Sequence, residues 1–147
     1  ASTCWFEDCT ILSKKDSYIT AASTPANEEF GYVFKNCRLI HDENTQKVYL
    51  GRPWRSYAKT VFIDCYMDDH ILPDGWHNWD KPYAEKTSFY AEYGSKGPGA
   101  EGVRVKWSHT LKEKDVKKYT PENVLKCGSE QDKHGKDVQT KWYFKVF

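Results

Sequence analysis

The sequence has no long apolar segment and almost no excess of charge of either sign. Among its 147 residues, the longest uninterrupted apolar run has three members, as in Val61-Phe62-Ile63. Such a run is too short for a transmembrane helix or for the core of a signal peptide within this chain. The net charge is +1, and no basic run is dense enough to follow a phosphate backbone. Neither a membrane nor a nucleic acid is therefore an expected partner.

Cysteine and histidine motifs are missing as well. The five cysteines include no Cys-x-x-Cys pair, which argues against a zinc site or a thioredoxin-like site. Their odd number excludes a fully paired disulfide framework, so we expect free, buried thiols. The five histidines show no ligand spacing and are expected at the surface or in packing roles: His41, His70, His77, His109 and His134. We therefore predict no metal and no cofactor.

What the sequence does have is a repeat of 28 residues, which separates Cys9, Cys37 and Cys65. The residues before each cysteine follow one order: apolar, aromatic, variable, acid or amide, then Cys. The matching segments are Trp5-Phe6-Glu7-Asp8-Cys9, Val33-Phe34-Lys35-Asn36-Cys37 and Val61-Phe62-Ile63-Asp64-Cys65. A fourth copy, again 28 residues on, is predicted at Phe89-Tyr90-Ala91-Glu92-Tyr93.

Each copy is short and rich in β-branched and aromatic residues, which favours a strand. One strand per 28 residues predicts an all-β fold, a right-handed parallel β-helix whose coils stack about 4.8 Å apart. Equivalent residues then form ladders, and the three cysteines are expected to form an internal one. Strict alternation cannot place both the aromatic residue and the cysteine inside, so a bend or bulge between them is required.

Other segments complete the predicted architecture. Second strands are expected at Tyr18-Ile19-Thr20-Ala21 and Val48-Tyr49-Leu50. We divide a single partial domain into β-helix coils over residues 1–107 and a helical or loop cap over 108–147. Thr110-Leu111-Lys112-Glu113 reads as a capping box that opens a helix to about Tyr119, and Thr120-Pro121 as the start of a second short helix. Residues from Gly128 are expected to form a loop, with Trp142-Tyr143-Phe144 packing back as an edge strand.

Several motifs in order along the chain resemble the pectin methylesterases. They include Gly31-Tyr32-Val33-Phe34-Lys35-Asn36-Cys37, Leu50-Gly51-Arg52-Pro53-Trp54, Gly75-Trp76-x-x-Trp79 and Gly97-Pro98-Gly99-Ala100, and the likeness runs from residue 1 to about 125. The resemblance implies a right-handed parallel β-helix, in agreement with the repeat. It also implies hydrolysis of methyl esters on the galacturonate units of pectin.

Members of that family use one aspartate as nucleophile, another as acid/base, and glutamine donors to the oxyanion, without a metal. The nucleophile lies in an Asp-Phe-Ile-Phe-Gly motif nine residues before the cysteine of the first repeat. Here Ala1 to Cys9 fill those nine positions. We therefore expect the chain alone to lack both catalytic carboxylates and to be inactive.

The resemblance leaves part of a site in this chain. Arg52 matches the arginine that pairs with the nucleophilic aspartate and keeps it ionised. Trp54 and Trp76 match aromatic residues of the substrate cleft, where an indole face can stack on a sugar ring. Trp79 and Tyr49 are further candidates with less support from the motifs.

Three functions remain open at this stage. The first is that the chain is the C-terminal part of a pectin methylesterase. The second is a non-catalytic pectin-binding β-helix module, and the third is a solenoid that associates with itself. Because Cys4-Trp5-Phe6 already has full strand character, we expect an open first coil that takes up a second copy or a missing N-terminal half. The resemblance suggests a secreted, extracellular or periplasmic protein. The reading frame upstream of Ala1 would distinguish an enzyme fragment from a binding module.

Overall fold

The computed structural model describes residues 3–125, together with two short strands at Glu130–Gln131 and Asp137–Val138 that form an antiparallel pair. The cysteine Cys127 and the strand predicted at Trp142-Tyr143-Phe144 lie outside the described residues. No helix among the described residues is long and apolar enough to cross a membrane.

Ten strands of the described chain wind into a parallel solenoid with three faces. In chain order these are β1 (Cys4–Glu7), β2 (Thr10–Ser13), β3 (Ser17–Ala22), β4 (Tyr32–Lys35), β5 (Arg38–His41), β6 (Val48–Pro53), β7 (Lys59–Ile63), β8 (Tyr66–Met67), β9 (Phe89–Tyr93) and β10 (His109–Thr110). The faces are the sheets β1-β4-β7-β9-β10, β2-β5-β8 and β3-β6. Strands of successive coils pair in parallel, which confirms the predicted right-handed parallel β-helix.

On the faces that contain β1-β4-β7 and β2-β5-β8, the first three coils keep the predicted register of 28 residues, in which Phe6 pairs with Phe34 and Phe34 with Phe62. The fourth coil does not, because Val61 pairs with Ala91, 30 residues later. The 28-residue alignment of Tyr93 with Cys65 was therefore wrong, and Tyr93 pairs with Ile63. The third coil is longer by two residues, and it carries a 3-10 helix at Pro82–Lys86.

The 28-residue register stacks three phenylalanine rings into a column in the core. The Phe6, Phe34 and Phe62 rings stack with centroids 4.6 Å apart at each step. The shifted fourth coil places Glu92 opposite Phe62. Arg104 neutralises this half-buried carboxylate through two bonds, from Nε at 2.8 Å and from Nη2 at 3.1 Å. The column of aromatic rings therefore ends at a two-point ion pair between Glu92 and Arg104.

The bend required between the phenylalanine and cysteine columns is a left-handed residue. Asp8, Asn36 and Asp64 have φ of 55°, 52° and 52°, and Gly94 has 65°. The Asn36 side chain also donates to the Asp8 carboxylate of the coil before it. Turning the chain at this residue lets both columns face inward, which strict alternation does not allow.

The cysteine column follows this corner. The structure shows free thiols at Cys9, Cys37 and Cys65, of which Cys37 and Cys65 are buried and Cys9 is half-buried. The prediction of free thiols is confirmed for these residues, and that of burial for Cys37 and Cys65. A hydrogen bond with Cys37, together with burial, raises the pKa of the Cys65 thiol, which keeps it protonated at neutral pH.

Both C-terminal helices are short, and the first begins later than the capping box predicts. Thr110 lies in β10, paired with β9, so it cannot cap a helix. The first helix, α1, runs Glu113–Val116 and has no side-chain cap. The second, α2 (Pro121–Val124), begins as predicted, because the Thr120 hydroxyl accepts a bond from the Asn123 N–H. Tyr119 and Val124 pack against the sheet residues Val33 and Val61.

Candidate active-site wall

The Leu-Gly-Arg-Pro-Trp segment forms the end of β6, where a glycine allows close approach. A Cβ on Gly51 would lie 2.3 Å from Thr20 Oγ1 and 3.0 Å from the Trp76 ring. Gly51 also forms a parallel bridge with Trp76 in the next coil. A larger residue would push the coils apart here, and Arg52 directly follows this tight point.

Arg52 is held in a cage of aromatic rings. Its guanidinium carbon lies 3.7 Å from the centroid of Trp79, 4.9 Å from that of Tyr18 and 5.6 Å from that of Trp54. Each distance is within the range in which a cation is attracted to a ring face. The motifs supported Trp79 less than Trp54, yet of these three rings Trp79 is the closest to the cation.

The two tryptophans form a stacked pair at the surface. Trp54 and Trp79 have centroids 5.3 Å apart and planes 25° from parallel. Lys81 fixes the pair from one side, because its ammonium lies 4.5 Å from the Trp79 ring and donates to the Trp54 carbonyl at 2.8 Å. Trp54 is 51% exposed, so part of its ring is open to a ligand.

A second aromatic group lies on the other side of Arg52. The Tyr18 and Tyr49 rings stack with centroids 5.5 Å apart, and the Tyr18 hydroxyl oxygen lies 3.0 Å from His77 Nδ1. The backbone N–H of Trp79 donates to the same Nδ1. This nitrogen is therefore an acceptor, and the Tyr18 hydroxyl donates to it. Burial, followed by the charge of Asp74, raises the pKa of Tyr49, which therefore stays neutral at physiological pH.

Trp76 lies in a different environment from Trp54. It is 1% exposed, stacks on Tyr90 at 4.3 Å and contacts Phe62 at 5.9 Å. Neither face of its ring is open to a sugar, and its surroundings show a packing role. The absence of a Cβ on Gly51 leaves room for the indole in the core, and the substrate contact predicted for Trp76 stays a prediction.

The guanidinium of Arg52 lacks the partners that a buried cation needs. Arg52 Nε and Nη1 are buried and make no hydrogen bond within the described part of the chain. Aromatic faces attract a cation but accept no strong N–H bond, so these donors are unsatisfied. A carboxylate is the group that both neutralises a guanidinium and accepts bonds from its N–H donors.

The sequence of the chain is similar to those of known proteins. The profile of the family described as Pectinesterase matches residues 1–128. The chain is 36% identical over 140 residues to "Pectinesterase/pectinesterase inhibitor" of Ficus pumila var. awkeotsang, covering 84% of this chain and 26% of that protein. "Probable pectinesterase/pectinesterase inhibitor 64" of Arabidopsis thaliana is 35% identical over 144 residues, covering 83% and 24%.

A solved structure agrees with the sequence comparisons. "Pectin methylesterase from Carrot" superposes with a TM-score of 0.76 and 28% identity, over 82% of this chain and 43% of that one. The chain thus spans about a quarter of the length of the two curated relatives. With a family profile over most of its length, the same solenoid and relatives above 30% identity, the chain belongs to the pectinesterase family.

Proposed function

We propose that this chain forms one wall of the active site of a pectin methylesterase, a carboxylic ester hydrolase that removes methyl groups from the galacturonate units of pectin. The observation that carries the proposal is Arg52, whose Nε and Nη1 are buried without partners beside Trp79 and Tyr18. The membership of the chain in the pectinesterase family supports the substrate class.

In this proposal Arg52 holds an aspartate that lies outside this chain. Its positive charge keeps that carboxylate ionised, because an opposite charge at close range lowers the pKa of an acid. The carboxylate attacks the ester carbonyl carbon, and the leaving methoxide takes a proton from a second aspartate and departs as methanol. The second aspartate then takes a proton from water as the water oxygen attacks the acyl carbon of the anhydride. The acyl-enzyme bond breaks, the galacturonate leaves as its carboxylic acid, and the nucleophile returns to its carboxylate form.

Trp54 serves as the sugar-binding face of this wall. Its ring is 51% exposed and is held at a fixed angle by Trp79 and Lys81. A rigid aromatic face at the surface binds a pyranose ring with little loss of conformational entropy. Trp76 remains a proposed contact only for a state in which its ring leaves the core.

The decisive experiment places this wall beside complete catalytic machinery. In a chimera, residues 1–125 replace the corresponding part of the carrot pectin methylesterase, and methanol release from methylated pectin is measured. Arg52→Ala is expected to lower kcat by about 100-fold or more, with Arg52→Lys intermediate. Arg38→Ala is the matched control, since Arg38 packs on Tyr66 and belongs to a different sheet from Arg52. Unchanged kcat in Arg52→Ala would overturn the role of Arg52.

The 147-residue chain alone is expected to release no methanol above the buffer blank. The physical reason is that Arg52 positions a nucleophile but does not supply one. Turnover by the chain alone that Arg52→Ala abolishes would mean that a carboxylate of this chain acts as the nucleophile.

A pectin-binding module without chemistry is the second candidate, favoured by the exposed Trp54. It predicts quenching of tryptophan fluorescence by methylated oligogalacturonate in the chain alone, lost in Trp54→Ala and kept in Trp54→Phe. Because pectin is a polymer of the cell wall, either candidate implies that the protein acts outside the cell.

We also propose that the first coil binds a second protein surface, either another copy of the chain or an N-terminal half of the enzyme. Within the described residues, β1, β2 and β3 each pair along one edge only, with β4, β5 and β6. Phe6 on β1 is 36% exposed although its ring belongs to the phenylalanine column. Open strand edges beside exposed aromatic surface favour pairing with another strand.

A further inference from the structure

A histidine and two aspartates meet at the ends of β5 and β8, on a different sheet from the one that carries Arg52. His41 is the last residue of β5, and Asp68 and Asp69 directly follow β8. The two strands pair in parallel with Leu39 opposite Met67, so the 28-residue register brings His41 level with Asp69. His41 Nε2 lies 3.0 Å from Asp69 Oδ1 and 3.9 Å from Asp68 Oδ2.

The hydrogen bonds of His41 determine what can occupy the space between these atoms. His41 Nδ1 lies 2.8 Å from the Asp42 carbonyl oxygen, which can only accept, so Nδ1 carries the hydrogen. In the neutral ring, Nε2 then presents a lone pair to carboxylate oxygens that also carry lone pairs. These atoms repel one another unless a proton or a metal cation lies between them.

The arrangement has the features of a metal-binding histidine. Such a ring usually donates its second N–H to a backbone carbonyl, which fixes its orientation, as Nδ1 does here. One donor atom from each of His41, Asp68 and Asp69 lies within 4.8 Å of the other two. Donors bound to one zinc ion lie about 3.3 Å apart, so only small side-chain movements are needed. Among the described residues, neither aspartate forms an ion pair with a lysine or arginine.

A buried histidine provides an independent observation at the same place. His70 is 1% exposed, and both of its ring nitrogens lack hydrogen-bond partners within the described residues. Its ring stacks on His41 at 4.7 Å. Burying an imidazole with both nitrogens unpaired is costly. The buried ring therefore covers one face of His41.

We propose that His41, Asp68 and Asp69 bind a divalent transition-metal cation, with Zn²⁺ as the best match. One imidazole and two carboxylates suit this borderline ion and balance its two charges. The bound ion joins the second coil to the third and leaves a coordination position for water. The site is separate from the ester chemistry, which uses no metal in the proposed function.

Calorimetric titration of the full chain with Zn²⁺ at neutral pH tests the proposal. We expect one site whose Kd rises at least tenfold in His41→Gln and in Asp69→Asn. Asp69 has a side chain that is 72% exposed, so its substitution should not disturb the fold, and circular dichroism checks this. His109→Gln is the matched control, because His109 stacks on Phe89 at the surface, away from any aspartate pair.

Thiols are the competing zinc ligands in this chain, and they are counted in the same experiment. If Zn²⁺ binds at the proposed site, the number of thiols that react with a thiol reagent stays unchanged on adding metal. Protection of thiols, or equal affinity in wild type, His41→Gln and Asp69→Asn, would place the ion elsewhere and overturn the proposal. Absence of Zn²⁺ binding would also overturn it, and would assign the space to a proton on His41.

Discussion

At the scale of single residues, the corner between the phenylalanine and cysteine columns depends on one backbone conformation. Asn36 holds φ at 52° between the buried residues Phe34 and Cys37. Residues with a Cβ pay about 1 kcal/mol or more in this region, asparagine less than most, and glycine nothing. Asn36→Ala is therefore expected to lower the free energy of unfolding by about 1 kcal/mol more than Asn36→Gly.

The comparison of these two variants isolates the backbone effect. Both lose the bond from the Asn36 side chain to Asp8, so the bond cancels in the difference. Urea unfolding of both proteins gives the measurement. Equal stabilities would show that the corner relaxes to another conformation, and that φ at this position does not constrain the coil.

The motifs of the sequence named some residues of the candidate site and missed others. Arg52 and Trp54 were recognised from the motif around Gly51, and the structure places both at one surface. Trp76 was also named from its motif, but a motif says nothing about burial, and only the coil register shows that Gly51 faces its ring. The pair His41 and Asp69 was missed although the two residues are 28 positions apart. That spacing equals the repeat, and testing polar residues at this interval would have found it.

At the scale of elements, the repeat predicted three coils correctly because stacked strands require equivalent residues to coincide. It misplaced the fourth, since the repeat does not constrain a loop that leaves the stack and returns two residues later. The capping-box pattern at Thr110 was overridden in the same way. The strand β10 gains backbone pairing with β9, and this outweighs a weak local preference for a helix start.

The packing of the C-terminal helices on the solenoid should depend on pH in the alkaline range. Tyr119 is buried, with its ring edge against Phe30 at 5.4 Å. Burial, followed by the charge of Glu29, raises its pKa from 10.0 to about 12. Between these values the unfolded chain loses the proton while the folded chain keeps it, so stability falls as pH rises.

The expected loss due to Tyr119 is on the order of 2 kcal/mol between pH 10 and 12, and is absent below pH 9. Tyr119→Phe removes the titrating group and keeps the ring, so its stability should vary less over this range. Chemical unfolding of both proteins at several pH values gives the comparison. Parallel curves for the two proteins would mean that the helices release Tyr119 to water before it ionises.

At the scale of the whole molecule, the sequence was sufficient for the fold class and insufficient for the site. A solenoid is built from contacts between neighbouring coils, so its pattern is written locally and repeatedly along the chain. The Arg52 cage instead combines Tyr18, Trp54 and Trp79 from three coils, with Trp79 on a loop where φ is 53°. No periodic pattern predicts how such a loop returns to the surface.

The last prediction concerns association of the whole chain through the first coil. The edges of β1, β2 and β3 that face away from β4, β5 and β6 have no strand partner within the described residues, and Phe6 is 36% exposed beside them. Pairing of two such edges head to head is closed by two-fold symmetry, so it gives a dimer and not a fibre. Light scattering over a dilution series should show a dimer that dissociates as the concentration falls.

Phe6→Glu should shift this dissociation to higher concentration, because it places a charge in the contact, whereas Val103→Glu, at a residue that is 85% exposed, should not. Far-ultraviolet circular dichroism separates weakened association from unfolding of the coil, since Phe6 also stacks on Phe34. A monomer at every concentration, unfolding in one cooperative step, would show that the first coil has no need of a partner.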